Sequence, residues 1–405
     1  MFLRFKEIFY HTNFYKLFFG LFLAQCINTI GFLILPKLYS PQAFATFGVF
    51  TSFVFILIEI INLKLDVALQ VENNQEKQTQ ILYLSCIIGS AISIIVSIPF
   101  LFIYKENYWL TFPVILVLYA LNQPMIAYLN IIKKVNYIST SRILMVVATL
   151  FFSIVFIKVW QNNFGLIYAF AIGQAIATMY LFYKLRHLFF VKIDISNFKQ
   201  LLQTYIQFPT FGVLSSMVNT ISRNGIIPLI ELLFGKIFCG YYTMSVRLLL
   251  APASLYQTAM TQFFLQEANN ITNEKLRIKV WQTFWIGIIL GCIPVLIVAF
   301  FGESIFYYLF DSQWIEAGKL SQYLVFWYFA SAVISPISMV LDIKHLLHKE
   351  LIWNIILFVF RAFALFAGYY YNDFWTAILY LVLVGIVMNL ALFFYILKIT
   401  KPNGN

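Results

Sequence analysis

Apolar positions along this chain come in runs of about 20 residues, set apart by short polar connectors. Within the runs, polar residues recur three or four positions apart and do not alternate with apolar ones, which predicts helices and argues against strands. The runs fall near 14–36, 43–64, 81–104, 108–132, 143–160 and 164–184, and again near 208–233, 237–264, 281–301, 319–341, 351–370 and 374–397. The pattern therefore predicts about twelve membrane spans.

Composition agrees with the pattern. Hydrophobic residues make up 62% of the 405, charged residues 11%, and the mean hydropathy is +0.85. A soluble domain carries about 25% charged residues. The runs are too long and too uniformly apolar for a transmembrane barrel, and a helix satisfies its own backbone in lipid. The expected class is an all-α polytopic membrane protein.

Net charge is +11, which in a soluble protein would point to nucleic acid. Here topology explains it, and no nucleic-acid partner is expected. With the N-terminus in the cytoplasm, only Lys37, Lys105, Lys158, Lys236 and Lys319 fall outside, while Arg223, Arg247 and Arg361 fall within spans. The remaining 19 of the 27 Lys and Arg fall inside, so the positive-inside rule puts both termini in the cytoplasm. The first 16 residues carry no cleavable signal pattern and read as a basic, aromatic lead-in at the membrane surface.

The longest polar connector, 187–205, divides the chain into an N-terminal six-helix bundle, 1–186, and a C-terminal one, 206–405. A faint repeat follows the same division. "LYSPQAFATF" at 38–47 aligns without gaps on "LFGKIFCGYY" at 233–242, and "INTI" at 27–30 echoes "VNTI" at 218–221. Two parallel halves related by an axis along the membrane normal fit this spacing.

Candidate chemistry is sparse. Cys26, Cys86, Cys239 and Cys292 each stand alone in or beside an apolar run, and His11, His187, His345 and His348 lie in or near connectors. They predict neither a metal site nor a disulfide. No phosphate-binding loop or dinucleotide fingerprint is present, so no cofactor and no catalytic residue is assigned, and no enzyme is expected.

Polar residues inside the spans carry more information. Ser216, Asn219, Thr220 and Arg223 share one helical face. Thr243, Arg247, Ser254 and Thr258 form a second stripe, and Asn354, Arg361 and Gly368 a third at heptad spacing. In the first half, Glu59, Asn62 and Asp66 share a stripe with Gly48 and Ser52, and another run carries Tyr119, Asn122 and Gln123. Small and hydroxyl residues also serve helix packing, and Arg223 with Glu231, or Arg247 with Glu59, could be structural ion pairs.

Arg361 has no acid within helical reach on its own span. An arginine at a bilayer centre costs roughly 2.5–3.5 kcal/mol on insertion scales, so it needs a partner on another helix or a water-filled cavity that holds an anion. A guanidinium binds phosphate oxygens through paired hydrogen bonds. The expected substrate-binding residues are Arg361, Arg223, Arg247, Asn219 and Asn354. Glu59, Asp66 and Arg142 are the candidates for ion coupling or gating. Prolines in or at the ends of the spans, among them Pro124, Pro228, Pro252 and Pro336, permit kinks that suit a rocking bundle.

"LPKLYSPQAFATFGVF" at 35–50 and "LKLDVALQVENNQE" at 63–76 resemble segments of the Wzx-type O-antigen and capsule flippases, within the multidrug/oligosaccharidyl-lipid/polysaccharide exporter superfamily. "LFGKIFCGYYTMSVRLLLAP" at 233–252 and "LFDSQWIEAGK" at 309–319 are similar to that family's second-half segments. Ala45 stands where the family has glycine, and Lys64 and Asp66 stand at its arginine and glutamate positions.

The resemblance implies a MATE-like fold of about twelve spans. It implies a flippase in the bacterial inner membrane that moves an undecaprenyl-pyrophosphate-linked oligosaccharide from the cytoplasmic to the periplasmic leaflet. Its implied partners are that substrate, membrane lipid, the polysaccharide polymerase and the chain-length regulator. A MATE-like exporter of a small drug or metabolite is the alternative.

Overall fold

The structure is a computed structural model that describes residues 12–188, 205–206, 209, 212–268, 271–344 and 346–401. The connector expected at 187–205 lies outside the described residues apart from His187, Leu188 and Tyr205, and so does His345.

Regular structure among the described residues is helical. In chain order the helices are α1 (Thr12–Ile34), α2 (Pro41–Ile61), α3 (Leu65–Val71), α4 (Gln75–Ile103), α5 (Thr111–Ile131), α6 (Val135–Trp160) and α7 (Gly165–Leu185). They continue with α8 (Val213–Asn224), α9 (Ile226–Phe234), α10 (Lys236–Ala268), α11 (Asn273–Phe310), α12 (Ile315–Ser338), α13 (Val340–Ile343), α14 (Leu347–Tyr370) and α15 (Phe374–Ile399). Each predicted span has a helical counterpart.

Nine of these, namely α2, α4–α7, α11, α12, α14 and α15, are long and apolar enough to cross a membrane, counted among the described residues. Of the other three predicted spans, two depart from the pattern for physical reasons. The span predicted at 208–233 is two helices, α8 and α9, meeting at Gly225. Helix α10 runs for 33 residues but carries the Thr243–Arg247–Ser254 stripe, which dilutes its apolar content. Helix α11, at 38 residues, is about 57 Å long and outreaches a hydrocarbon core of about 30 Å.

Two compact units are present: the described residues within Met1–Tyr39 and Phe50–Thr220, and those within Ser40–Val49 and Ile221–Asn405. In the first, α6 packs on α7 and α1, and α5 packs on α4 and α7. Leu65, Leu69, Ile81, Leu82, Leu129 and Leu181 belong to an apolar cluster within it. Tyr39 is 1% exposed, and its hydroxyl donates to the Ser153 carbonyl at 2.7 Å. The tyrosine of the "LYSP" turn is thus tied to α6.

In the second unit α12 is central, packing on α10, α11 and α15, while α14 packs on α15. Phe264, Leu276, Val280, Ile337, Phe393 and Ile396 form a second apolar cluster. The two stretches aligned by the repeat start helices at equivalent points, Pro41 in one and Lys236 in the other. Residues 40–49 pack within the second unit: Phe44 meets Trp314 edge-on at 5.2 Å, and the Pro41 carbonyl lies against Gly240 where a Cβ would stand.

That last contact leaves no room for a side chain. Gly240→Val is expected to force α2 and α10 apart, at a cost of about 1–3 kcal/mol. The measurement is the apparent melting temperature of the purified protein, which should fall by several degrees, whereas Val at the open position Ile237 should leave it unchanged.

Candidate functional site

The stretch "SRNGIIP" at 222–228 explains the break between α8 and α9. Asn-Gly favours a turn, and Pro228 has no N–H to offer the Asn224 carbonyl. Gly225 N donates to the Ile221 carbonyl at 2.8 Å, and the ladder resumes with Leu229 N on the Gly225 carbonyl at 3.3 Å. Carbonyls in the last turn of α8 therefore need donors from elsewhere.

Arg361 of α14 supplies one. Its Nη1 donates to the Ser222 carbonyl at 2.8 Å and to the Ser222 hydroxyl oxygen at 3.1 Å. A cation at a helix C-terminus is also favoured by the helix dipole. The guanidinium lies 4.7 Å from the centroid of the Trp327 ring, a cation–π distance. Trp327 can lie flat there because Gly385 of α15 presents no Cβ to its indole. Tyr328 stacks beside Trp327 at 4.9 Å, and Tyr328 is hydrogen-bonded to Tyr242 within electrostatic reach of Arg361.

Arg361 is 7% exposed and Ser222 1%. No carboxylate among the described residues is in ion-pair contact with Arg361, and its Nε is buried with no hydrogen-bond partner. Arg223, the next residue after Ser222, is exposed and near enough to act on the Arg361 charge. Two like charges thus sit together, one buried and one open. Like charges so placed attract anions, and the buried Nε remains a donor without a partner.

The other expected residues are placed more loosely. Arg247 lies with its guanidinium 4.2 Å from the Phe47 centroid, a stacked site of its own. Asn219 and Asn354 are half-buried, on α8 and α14. In the first unit Glu59 pairs with Lys64 at 2.5 Å. Leu63 and Lys64 both take the left-handed conformation, φ 49° and 56°, and this turn swings Lys64 back to Glu59 and starts α3 with Asp66 in its first turn. Burial raises the Asp66 carboxyl above its usual range, against the pull of Lys64. Arg142 lies within electrostatic reach of Tyr119.

A polar seam joins the same unit. Asn62 Nδ2 donates to Gln123 Oε1 at 3.1 Å, and Asn122 Nδ2 to Thr178 Oγ1 at 3.3 Å. Residues that sequence reasoning missed are Ser222, Trp327, Tyr242 and Tyr328. Three are aromatic residues inside apolar runs, where nothing distinguishes a cluster member from a packing residue. The signal for Ser222 was the Asn-Gly turn followed by Pro228.

No family model matches the chain, and neither does any curated protein. Solved structures do match. An inward-facing multidrug resistance MATE family transporter of the MOP superfamily aligns at 16% identity and a TM-score of 0.68, covering 94% of this chain and 96% of its own. The lipid II flippase MurJ, in an inward closed conformation, aligns at 15% identity and 0.73, covering 93% and 86%. This chain has the fold of the MOP-superfamily transporters. A third match, a MOP superfamily transporter from Pyrococcus furiosus Vc1 described as having a binding pocket of reverse polarity, aligns at 15% identity and 0.59, covering 95% and 94%. The chain is accordingly an all-helical, multi-pass membrane protein.

The raised Asp66 carboxyl gives a pH prediction. Its folded-state value lies above 3.8, so the folded form holds the proton more tightly than the unfolded one. That contribution to stability is full below 3.8 and is lost as pH rises through the raised value. Asp66→Asn should flatten this part of the curve, which thermal unfolding of wild type and variant from pH 3.5 to 7 would display.

Proposed function

We propose that this chain is a flippase, and not an enzyme. It would move an undecaprenyl-pyrophosphate-linked oligosaccharide from the cytoplasmic to the periplasmic leaflet of the bacterial inner membrane by alternating access. The observation that carries the reading is the Arg361–Arg223 pair, a positive site with no ion-paired carboxylate among the described residues and one buried donor unspent. A pyrophosphate supplies several acceptor oxygens of the right charge.

In this reading Arg361 and Arg223 hold the pyrophosphate. Arg247, Asn219 and Asn354 take the neighbouring polar groups. Glu59, Asp66 and Arg142 serve coupling or gating, with the bundles 1–186 and 206–405 as the alternating halves and both termini in the cytoplasm. The likeness in fold to the lipid II flippase and the resemblance of the "LYSPQAFATF" segment to polysaccharide flippases support the same class of substrate. The polysaccharide polymerase and chain-length regulator are the partners that would receive it.

Export of a small drug or metabolite is the second reading, favoured by the likeness in fold to multidrug transporters. A cationic drug would be repelled by the arginines, so this reading fits less well.

The test is the leaflet distribution of lipid-linked oligosaccharide in a strain lacking this protein. The intermediate should be trapped on the cytoplasmic leaflet and released by wild type. Arg361→Ala should restore no more than about a tenth of the release, a loss of about 1.4 kcal/mol or more of binding. Arg361→Lys should restore an intermediate amount, because it keeps the charge without the paired donors. Since Arg361 also holds the helix break, Arg223→Ala serves as the variant outside that contact, and it should lose release while unfolding at the wild-type temperature. Full release in both alanine variants would exclude the anion site, and an untrapped intermediate would favour the exporter reading.

A further inference from the structure

We propose that the first unit carries a binding cleft for a neutral oligosaccharide, formed by the α4–α5 and α6–α7 loops and separate from the arginine site. The two loops line an open cleft of about 690 Å3, within the ~300–1,000 Å3 range of ligand sites. Its lining combines ring faces with side-chain amides: Tyr108, Trp160 and Phe164 on one hand, Asn107, Gln161 and Asn163 on the other. Sugar rings have the matching surface. Their C–H faces stack on aromatic rings, and their hydroxyls, each a donor and an acceptor, suit amides that offer both.

The walls are held by ring contacts and by a turn that uses one lining amide, Asn162. Tyr108 is 6% exposed and stacks on Phe164 with centroids 4.6 Å apart. Behind it Tyr104 and Trp109 stack at 4.2 Å. The opposite loop leaves α6 through Gln161 in the left-handed conformation, φ 49°. Asn162 N then donates to the Phe156 carbonyl at 3.1 Å, Gly165 N to the Asn162 carbonyl at 3.0 Å, and Phe164 N to the Asn162 side chain at 2.8 Å. Asn162 thus spends its side-chain oxygen on the turn, while Asn163 and Gln161 face the cleft.

Trp160 remains 61% exposed at the end of α6, an open platform at the mouth. Lys105 and Glu106 are the charged residues of the lining, one of each sign, so its formal charge is zero. That balance sets it apart from the arginine site and favours a neutral glycan over an anion. Aromatic residues also gather at membrane interfaces merely as anchors. An anchor, however, needs neither a cleft nor three amides converging on it.

The test is saturation-transfer NMR on the full chain in lipid nanodiscs prepared free of glycosidic detergent, with cellopentaose, maltopentaose and chitopentaose as probes. Wild type should transfer magnetisation to the ring protons of at least one of them. Trp160→Ala and Asn163→Ala should each reduce that signal five-fold or more, and Trp160→Phe should retain it. Phe151→Ala, which removes another exposed ring from the same helix, should leave it unchanged. No transfer to any probe, or equal signals from wild type, Trp160→Ala and Asn163→Ala, would overturn the proposal and leave an interfacial anchor only. The inference stands apart from the transport reading, because it concerns soluble sugar at one loop pair, and the leaflet assay can fail while this one succeeds.

Discussion

A carbonyl without a donor cannot be left in lipid, and that constraint organises the second unit. Gly225 and Pro228 interrupt the ladder between α8 and α9, and each interrupted carbonyl costs several kcal/mol unless something replaces the lost N–H. The Arg361 guanidinium replaces one of them at Ser222. Trp327 needs a clear surface on which to lie under that guanidinium, and Gly385 provides it. Tyr242 and Tyr328 then close the remaining side. The cluster is best understood as a repair of the break that leaves one donor, Nε, over.

This double duty separates Arg361 from Arg247. Both are arginines in apolar helices, and both lie over an aromatic face. Arg361 is hydrogen-bonded to the backbone of a broken helix, with a second arginine close by. Discontinuous helices in transporters also bring backbone ends and charged groups together. An arginine that holds a broken helix is hard to tell from a ligand-binding one by sequence, because either role alone would justify its presence.

The helices were largely legible in the sequence, since twelve apolar runs met helical counterparts and the aligned repeat located two helix starts, Pro41 and Lys236, at equivalent points. The interruption at Gly225 was less so: an apolar run reads as continuous when a break falls inside it, and Asn-Gly beside Pro is a local signal that run length hides. The arginine was legible as an anomaly, but its partner was not. The reasoning sought an acid or an anion, whereas the nearest partner is a serine carbonyl, and backbone groups leave no trace in composition. Glu59 shows the same limit, for its partner Lys64 is brought round by two left-handed residues that a helical wheel cannot represent.

The Arg361–Ser222 contact also bears on how the chain enters the membrane. The two residues lie 139 positions apart, and synthesis runs from the N-terminus. Ser222 is therefore made well before Arg361, and its carbonyl lacks this donor until α14 follows. A helix that would resist insertion alone finds its counterpart waiting, and the earlier helix loses its defect in the same event. An arginine among apolar residues and an unmet carbonyl each carry a cost alone, so the order of synthesis makes α14 the step that completes α8.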